Sequence, residues 1–397
     1  MSEGVSAAAG RAGGLRRGSA PPATHRVLVT VPWGTCAGGA EAMLQSILDG
    51  AAEGSFEFEL VFFEDGPWAR ELADQGFAVT VLPVGRLRQV HRFIGSVRRL
   101  AGIMRSRRPA LILNWSAKTQ LYGAPAALLA GMSSRVLWWQ QSIPHGGPID
   151  RVATALPARA IFCYSAAAAR AQGRLWPARE TLPVAAGAPV PAPSAGPAPL
   201  DLPKGVPIVG IVGRLQEWKG QDRLLRAQAL LRDRGIELHC LIVGGDAYEL
   251  SPEYAASLPR LVTELGLQDR VTMTGQVPDA GPYIERMDVL VNASDPEPFG
   301  IVLLEAMARG VAVVAVDSGG PREIVQGGVS GMLARSGEPS ALADAIEPLL
   351  VSPELRARLA AAGRARFQAQ FTEEAMCRRF AAQMRSLVDA RERTAGG

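Results

Sequence analysis

DVLVNASDPEPFGIVLLEAMARG, Asp288 to Gly310, reads as a buried strand, a proline-bracketed turn and an apolar helix. Pro298 suits the first helical position, where a missing N–H costs nothing, and Gly310 suits the stop, so the spacing predicts a helix from Pro298 to Gly310. Glu297 then stands at its mouth, with Glu305 eight residues further on. On one helix they would lie about 12 Å apart along the axis, with an anion favoured between them by the free amides and the helix dipole. The run between them is almost wholly apolar, so Glu305 emerges from a helix expected to be largely buried. A buried carboxylate needs partners, and a pair of ligand hydroxyls is one candidate; a solvated or ion-paired glutamate is the plainer one.

Outward from this stretch, strand and helix alternate twice over. HRVLVTVPW, FEFELVFFE, AVTVLPV, PALILNW, RVLWWQQ and AIFCYS are strands of a first unit. VPIVGIVGRL, ELHCLIVGG, VTMTGQV, DVLVNAS and VAVVAVDSGG repeat the pattern in a second. Alternation at this spacing means parallel sheets covered on both faces. The expected fold is α/β, with two facing Rossmann-like domains over 25–182 and 205–370 and a cleft between them. Residues 1–24 are expected as a disordered leader, 183–204 as a Pro/Ala linker, and 371–391 as a final helix able to cross back to the first domain.

The chain has 397 residues, 48% hydrophobic and 20% charged, which describes a globular protein with well-filled cores. Its four cysteines, Cys36, Cys163, Cys240 and Cys377, are scattered, which points to a reducing compartment and gives no metal signature. No apolar run is long enough to span a bilayer. Charge is uneven: residues 1–180 carry 20 Lys and Arg against 12 Asp and Glu, and the remainder 22 against 26. No acid falls between Asp74 and Asp150. The predicted helix around 87–107 brings Arg88, Arg92, Arg98, Arg99, Arg105, Arg107 and Arg108 close to an apolar stripe. A solvated face is one reading and contact with anionic lipid another; nucleic acid is not expected, because no aromatics interleave with the arginines.

GIVGRLQEWKGQD places Gly213, Arg214 and Lys219 at a turn between a strand and a helix. A guanidinium fork and an ammonium there suit two adjacent phosphates, although two solvated cations would look the same locally. The turn lacks the GK[ST] ending of a P-loop. Gly38-Gly39 after the first strand and Gly244-Gly245 in LIVGGD let backbone approach a ligand, and Gly319-Gly320 repeats the theme.

Taken in order, GGAE, GRLQEWKG, EPFGIVLLE and SGGPREIV resemble the retaining glycosyltransferases of family 4, with the GT-B architecture, over about residues 26 to 385. The resemblance implies transfer of a hexose-type sugar from a nucleoside diphosphate sugar, UDP-sugar by default, to an acceptor hydroxyl on a cell-envelope glycan, glycolipid or natural product. It implies that Arg214 and Lys219 hold the donor diphosphate and that Glu297, with Phe299 and Gly300, contacts the donor sugar. Glu305 would take the ribose hydroxyls. Gly38, Gly39, Gln141, Gly213, Gly244 and Ile301 would complete the donor pocket. No cofactor and no metal is implied, and the chain has no Asp-x-Asp motif. One departure stands out: where the family commonly has a histidine facing the sugar, this chain has Gln141, with His145 four residues on. The expected location is cytoplasmic, with peripheral contact at the inner membrane face through 87–108. A nucleotide-sugar epimerase on the same fold and a non-catalytic nucleotide-sugar-binding partner are the competing readings. A phosphorylase would need a pyridoxal phosphate lysine, and only Lys118, Lys204 and Lys219 are available.

Overall fold

The structure, a computed structural model, describes residues 25–36, 38–50, 56–85, 88–191, 200–246 and 251–395. The expected leader at 1–24 lies outside them. The first sheet comprises β1 (His25–Val31), β2 (Phe56–Phe62), β3 (Ala78–Val81), β4 (Leu111–Asn114), β5 (Val136–Gln140), β6 (Ala160–Cys163) and β7 (Glu180–Pro183). Its helices are α1 (Gly39–Asp49), α2 (Pro67–Asp74), α3 (Val90–Arg107), α4 (Ala117–Leu129), α5 (Pro148–Ala155) and α6 (Ala166–Gly173). The second sheet comprises β8 (Ile208–Val212), β9 (His239–Val243), β10 (Val271–Met273), β11 (Val289–Asn292), β12 (Ala312–Val316) and β13 (Met332–Ala334). With it come α7 (Gln221–Asp233), α8 (Pro252–Glu264), α9 (Gly281–Ile284), α10 (Ile301–Ala308), α11 (Pro321–Ile324), α12 (Pro339–Val351), α13 (Pro353–Gln370) and α14 (Glu373–Ala395).

Both sheets are parallel throughout. Their strand orders are β3-β2-β1-β4-β5-β6-β7 and β10-β9-β8-β11-β12-β13. Chain order therefore reverses between β1 and β4 in one domain and between β8 and β11 in the other. At such a switch point neighbouring loops diverge and leave a crevice at the carboxyl ends of the strands. The inner strands are buried on both faces: VLWWQ of β5 and AVVAV of β12 have no exposed position. Trp138 and Trp139 are wholly buried, as core residues.

The helix of the opening stretch starts later than its prolines suggest. Gly300 takes φ of 100°, a left-handed value that a right-handed helix cannot include, so α10 begins at Ile301. Glu297 is thus not on the helix. It lies in extended chain and makes a parallel bridge with Gly319. Gly310, with φ of 72°, does end the element.

Two short edge strands, β7 and β13, were not expected; ETLP and MLA are too brief to show a period. Within the stretch expected as linker, Pro183 belongs to β7 and Val184, Ala186 and Ala188 are buried, so its first part packs. α14 lies against the first domain. Its Phe380 ring sits 5.5 Å from that of Phe162 and 5.7 Å from that of Trp139, and Arg379 donates to the Ala185 carbonyl.

Candidate active site

The two switch points face one another across a cleft of about 380 Å³. From the first domain, Gly38, Gly39 and Gln141 line it; from the second come Gly213, Arg214, Lys219, Gly244, Glu297, Phe299, Gly300, Ile301 and Glu305. The twelve residues assigned to the donor site meet in this one space, whereas Gly245, Gly319 and Gly320 do not line it. The reason is topological. All but Glu305, which lies one turn into α10, sit in a loop or helix start that follows a strand, and parallel strands deliver those loops to the same edge of the sheet. At Gly39 a side chain would meet Ile301 Cδ1 at 2.9 Å, so glycine lets α1 approach α10.

Lys219 is the centre of the charge arrangement. It ends a short 3-10 turn after β8, and its Nζ lies 2.9 Å from Glu297 Oε2 and 4.0 Å over the Trp218 ring. Asn292 Nδ2, from the end of β11, donates to the same carboxylate oxygen at 3.3 Å. Burial alone would push the Glu297 carboxyl up; the Lys219 ammonium, with hydrogen bonds from Lys219, Ser294 and Asn292, outweighs it and holds the carboxyl below its ordinary value. Glu297 is therefore a fixed anion at neutral pH.

Glu305 differs. Burial pushes its carboxyl up; Arg309 offsets this in part, and Asp279 adds to it. Arg309 donates to the Glu305 backbone carbonyl, not to its carboxylate. Arg214 is half-buried, and among the described residues nothing hydrogen-bonds its guanidinium. Across the cleft stands the buried Glu41 of α1, whose carboxyl is pushed up by burial and drawn down by its own backbone N–H and by Arg214. Arg214 thus remains a donor fork with room for an anion.

Gln141 Nε2 donates to the Trp115 carbonyl at 2.5 Å, which leaves its oxygen as the acceptor on the cleft wall. His145 does not take the place of the family histidine. It is exposed, its backbone N–H is bound by Asp150 at 2.9 Å, and it does not line the cleft.

Sequence reasoning missed Tyr164, Trp218 and Asn292. Tyr164 lines the cleft just beyond β6, with a buried hydroxyl that has no partner among the described residues; burial holds it protonated far above its ordinary range. Its position at the end of AIFCYS, where strand gives way to turn, was the available signal. The same signal marked Asn292 at the end of VLVN. Among the described residues, no group of acids, histidines and cysteines is placed to hold a metal ion.

Residues 197–366 match the family model described as glycosyl transferases group 1. The lipopolysaccharide core biosynthesis glycosyltransferase LpsE of Rhizobium meliloti is 36% identical over 179 residues, which is 45% of this chain and 50% of that protein. A D-inositol 3-phosphate glycosyltransferase of Nocardia farcinica is 41% identical over 157 residues, 38% of this chain and 35% of that one. The chain spans half or less of the length of these curated relatives. Among solved structures, Anabaena HepE in complex with UDP and glucose superposes with a TM-score of 0.76 at 25% identity, over 91% of this chain and 100% of that one. A sucrose-phosphate synthase of Thermosynechococcus elongatus shares the fold, with a TM-score of 0.75 at 24% identity over 92% and 100% of the two chains. Together these likenesses support the glycosyltransferase group 1 family, and the two domains have its GT-B fold.

Proposed function

We propose that this chain is a retaining glycosyltransferase that moves a hexose from a nucleoside diphosphate sugar to an acceptor hydroxyl. The observation that carries the reading is the meeting in one cleft of Arg214, whose guanidinium has no hydrogen bond among the described residues, and a buried Lys219–Glu297 pair at 2.9 Å. In this reading Arg214 and Lys219 hold the donor diphosphate, with the amides at the start of α1 closing over it through Gly38 and Gly39. Negative charge grows on the diphosphate as the glycosidic bond breaks, and cations already in place stabilise it without rearrangement. Glu297 and the backbone at Phe299 and Gly300 hold the sugar, and Glu305 takes the ribose hydroxyls. The acceptor attacks from the leaving-group face, and its proton passes to the departing diphosphate, so no side-chain base is required. Two cations supply the charge that a divalent ion would otherwise supply, so transfer should persist in EDTA.

UDP-glucose is the first donor to test, since HepE was solved in complex with it. Calorimetry should show UDP binding without added metal, and acceptor screening with UDP-glucose should yield an α-linked product. Acceptor-free conversion of UDP-glucose to another UDP-hexose would show an epimerase instead. Failure of the folded protein to bind any nucleoside diphosphate would overturn the reading.

The acceptor is proposed to reside at an anionic membrane surface. α3, with Arg92, Arg98, Arg99 and Arg105 exposed, borders an apolar groove of about 360 Å³ lined by Phe93, Leu121, Ile149 and Val152. Val90 and Ile94 of α3 and Leu128 and Leu129 of α4 are exposed as well. No helix among the described residues is long and apolar enough to cross a membrane, so contact would be peripheral. Phosphatidylglycerol vesicles should sediment the protein at low salt and release it at high salt, whereas phosphatidylcholine vesicles should not. Equal behaviour with both lipids would remove this partner.

A further inference from the structure

We propose that Glu323 is a positioning residue that holds the cleft closed and thereby sets Glu297. Glu323 belongs to α11 in the second domain, yet its carboxylate serves the first. Oε2 accepts from the Ala166 amide and Oε1 from the Ala167 amide, each at 3.0 Å. These are the first two amides of α6. The third, Ala168, is taken by Ser165 Oγ from α6's own side at 3.1 Å. A helix start normally satisfies its free amides locally or with water. Here two of them are reserved for a carboxylate carried by the opposite domain, in a charge-assisted fork at the positive end of the helix.

The same short segment holds Glu297. Gly320 N–H donates to the Glu297 carbonyl at 2.9 Å, and Gly319 makes the parallel bridge to Glu297. From behind, Arg366 of α13 bonds the Glu323 carbonyl at 2.8 Å and the Ile324 carbonyl at 2.7 Å. α11 therefore cannot shift alone. When its carboxylate leaves α6, the released segment is the one whose Gly319-Gly320 is bonded to the Glu297 backbone. A cap supplied within one domain contributes only stability, whereas a cap supplied across the cleft also favours the closed arrangement.

The test uses the full chain with Glu323→Gln, Glu323→Ala and Ala166→Pro. Proline is tolerated at the first helical position, and here it removes one of the two amides from the other side of the contact. Amide exchange at Ala167 in the Glu323 variants should rise roughly ten- to a hundredfold, and small-angle scattering should show an expanded particle. UDP affinity should fall, because the α1 amides no longer close over the diphosphate, and UDP-glucose turnover should fall about tenfold or more. Glu323→Gln combined with Ala166→Pro should lose less than the sum of the two single losses. Unchanged exchange and scattering in Glu323→Ala would overturn the proposal, as would fully additive losses in the double variant. The turnover arm rests on the glycosyltransferase reading. If wild type does not act on UDP-glucose, exchange and scattering alone decide whether Glu323 holds the cleft.

Discussion

Glu297 and Glu305 are the same side chain, eight residues apart, lining one cleft, and their carboxyls are pushed in opposite directions. Burial acts on both and favours the neutral acid. At Glu297 an ammonium at 2.9 Å and neighbouring hydrogen bonds overcome it. At Glu305 Arg309, which spends a donor on the backbone carbonyl, offsets burial in part, and Asp279 pushes the same way as burial. The contrast separates a buried carboxylate from a half-buried one. One is satisfied before any ligand arrives, so its charge and position are fixed in advance. The other is left short of partners, which is how a protein keeps acceptor capacity for a ligand's hydroxyls.

The largest expected effect follows from removing the fixed anion. Glu297→Ala should lower turnover of UDP-glucose by at least about a hundredfold, because the group proposed to hold the sugar is lost. UDP affinity, measured by calorimetry, should change little. Glu297→Gln adds a test of the charge itself. The folded carboxyl of Glu297 lies below its unfolded value, so its contribution to stability is present above the unfolded value near pH ~4.3 and is lost as pH falls through the folded one. The Gln variant should therefore melt below wild type at neutral pH, by about 1–3 kcal/mol, with the two curves converging in acid. Full turnover in Glu297→Ala would make the contrast with Glu305 a matter of stability alone.

Lys219→Ala sharpens the comparison by making Glu297 resemble Glu305. Without the ammonium, burial dominates and the Glu297 carboxyl moves up, so the acid limb of the turnover profile should shift to higher pH. UDP affinity should fall roughly ten- to a hundredfold while uridine binding holds, since in the proposed function Lys219 holds the diphosphate. Equal losses for UDP and uridine would assign Lys219 to folding.

How much of this contrast was legible in the sequence depends on the range of the interaction. Strand-to-helix alternation, Gly38-Gly39, the GRLQEWKG turn and EPFGIVLLE are local signals. A parallel sheet turns such signals into a common site, because every loop after a strand emerges on the same side. That is why residues from Gly38 to Glu305 fall into one cleft although nothing in the sequence links them pairwise. The Lys219–Glu297 pair spans 78 positions and left no local trace. Nor did the reach of Glu323 to Ala166, which depends on how two domains meet. The misplaced helix start has a narrower cause. Pro298 is compatible with a first helical turn, but the left-handed Gly300 two residues later prevents one, and only backbone geometry shows which of the two prevails.

The smallest effect is the most diagnostic for Glu305. Its folded carboxyl lies above the unfolded value, so the charged form opposes folding once pH rises past that folded value, and no such penalty exists in acid. Glu305→Gln should therefore raise the melting temperature of the free protein slightly at neutral pH and leave it unchanged in acid, the reverse of Glu297→Gln. The same variant should lose the ability to tell a ribose from a deoxyribose. Wild type should bind UDP more tightly than 2′-deoxy-UDP by a few-fold to about tenfold, the net worth of one hydrogen bond, and the variant should bind both alike. A glutamate kept short of partners for a ligand gains stability when neutralised and loses selectivity together with it. Stability gained with discrimination intact would mean that Glu305 is a half-buried acid facing the cleft without serving it.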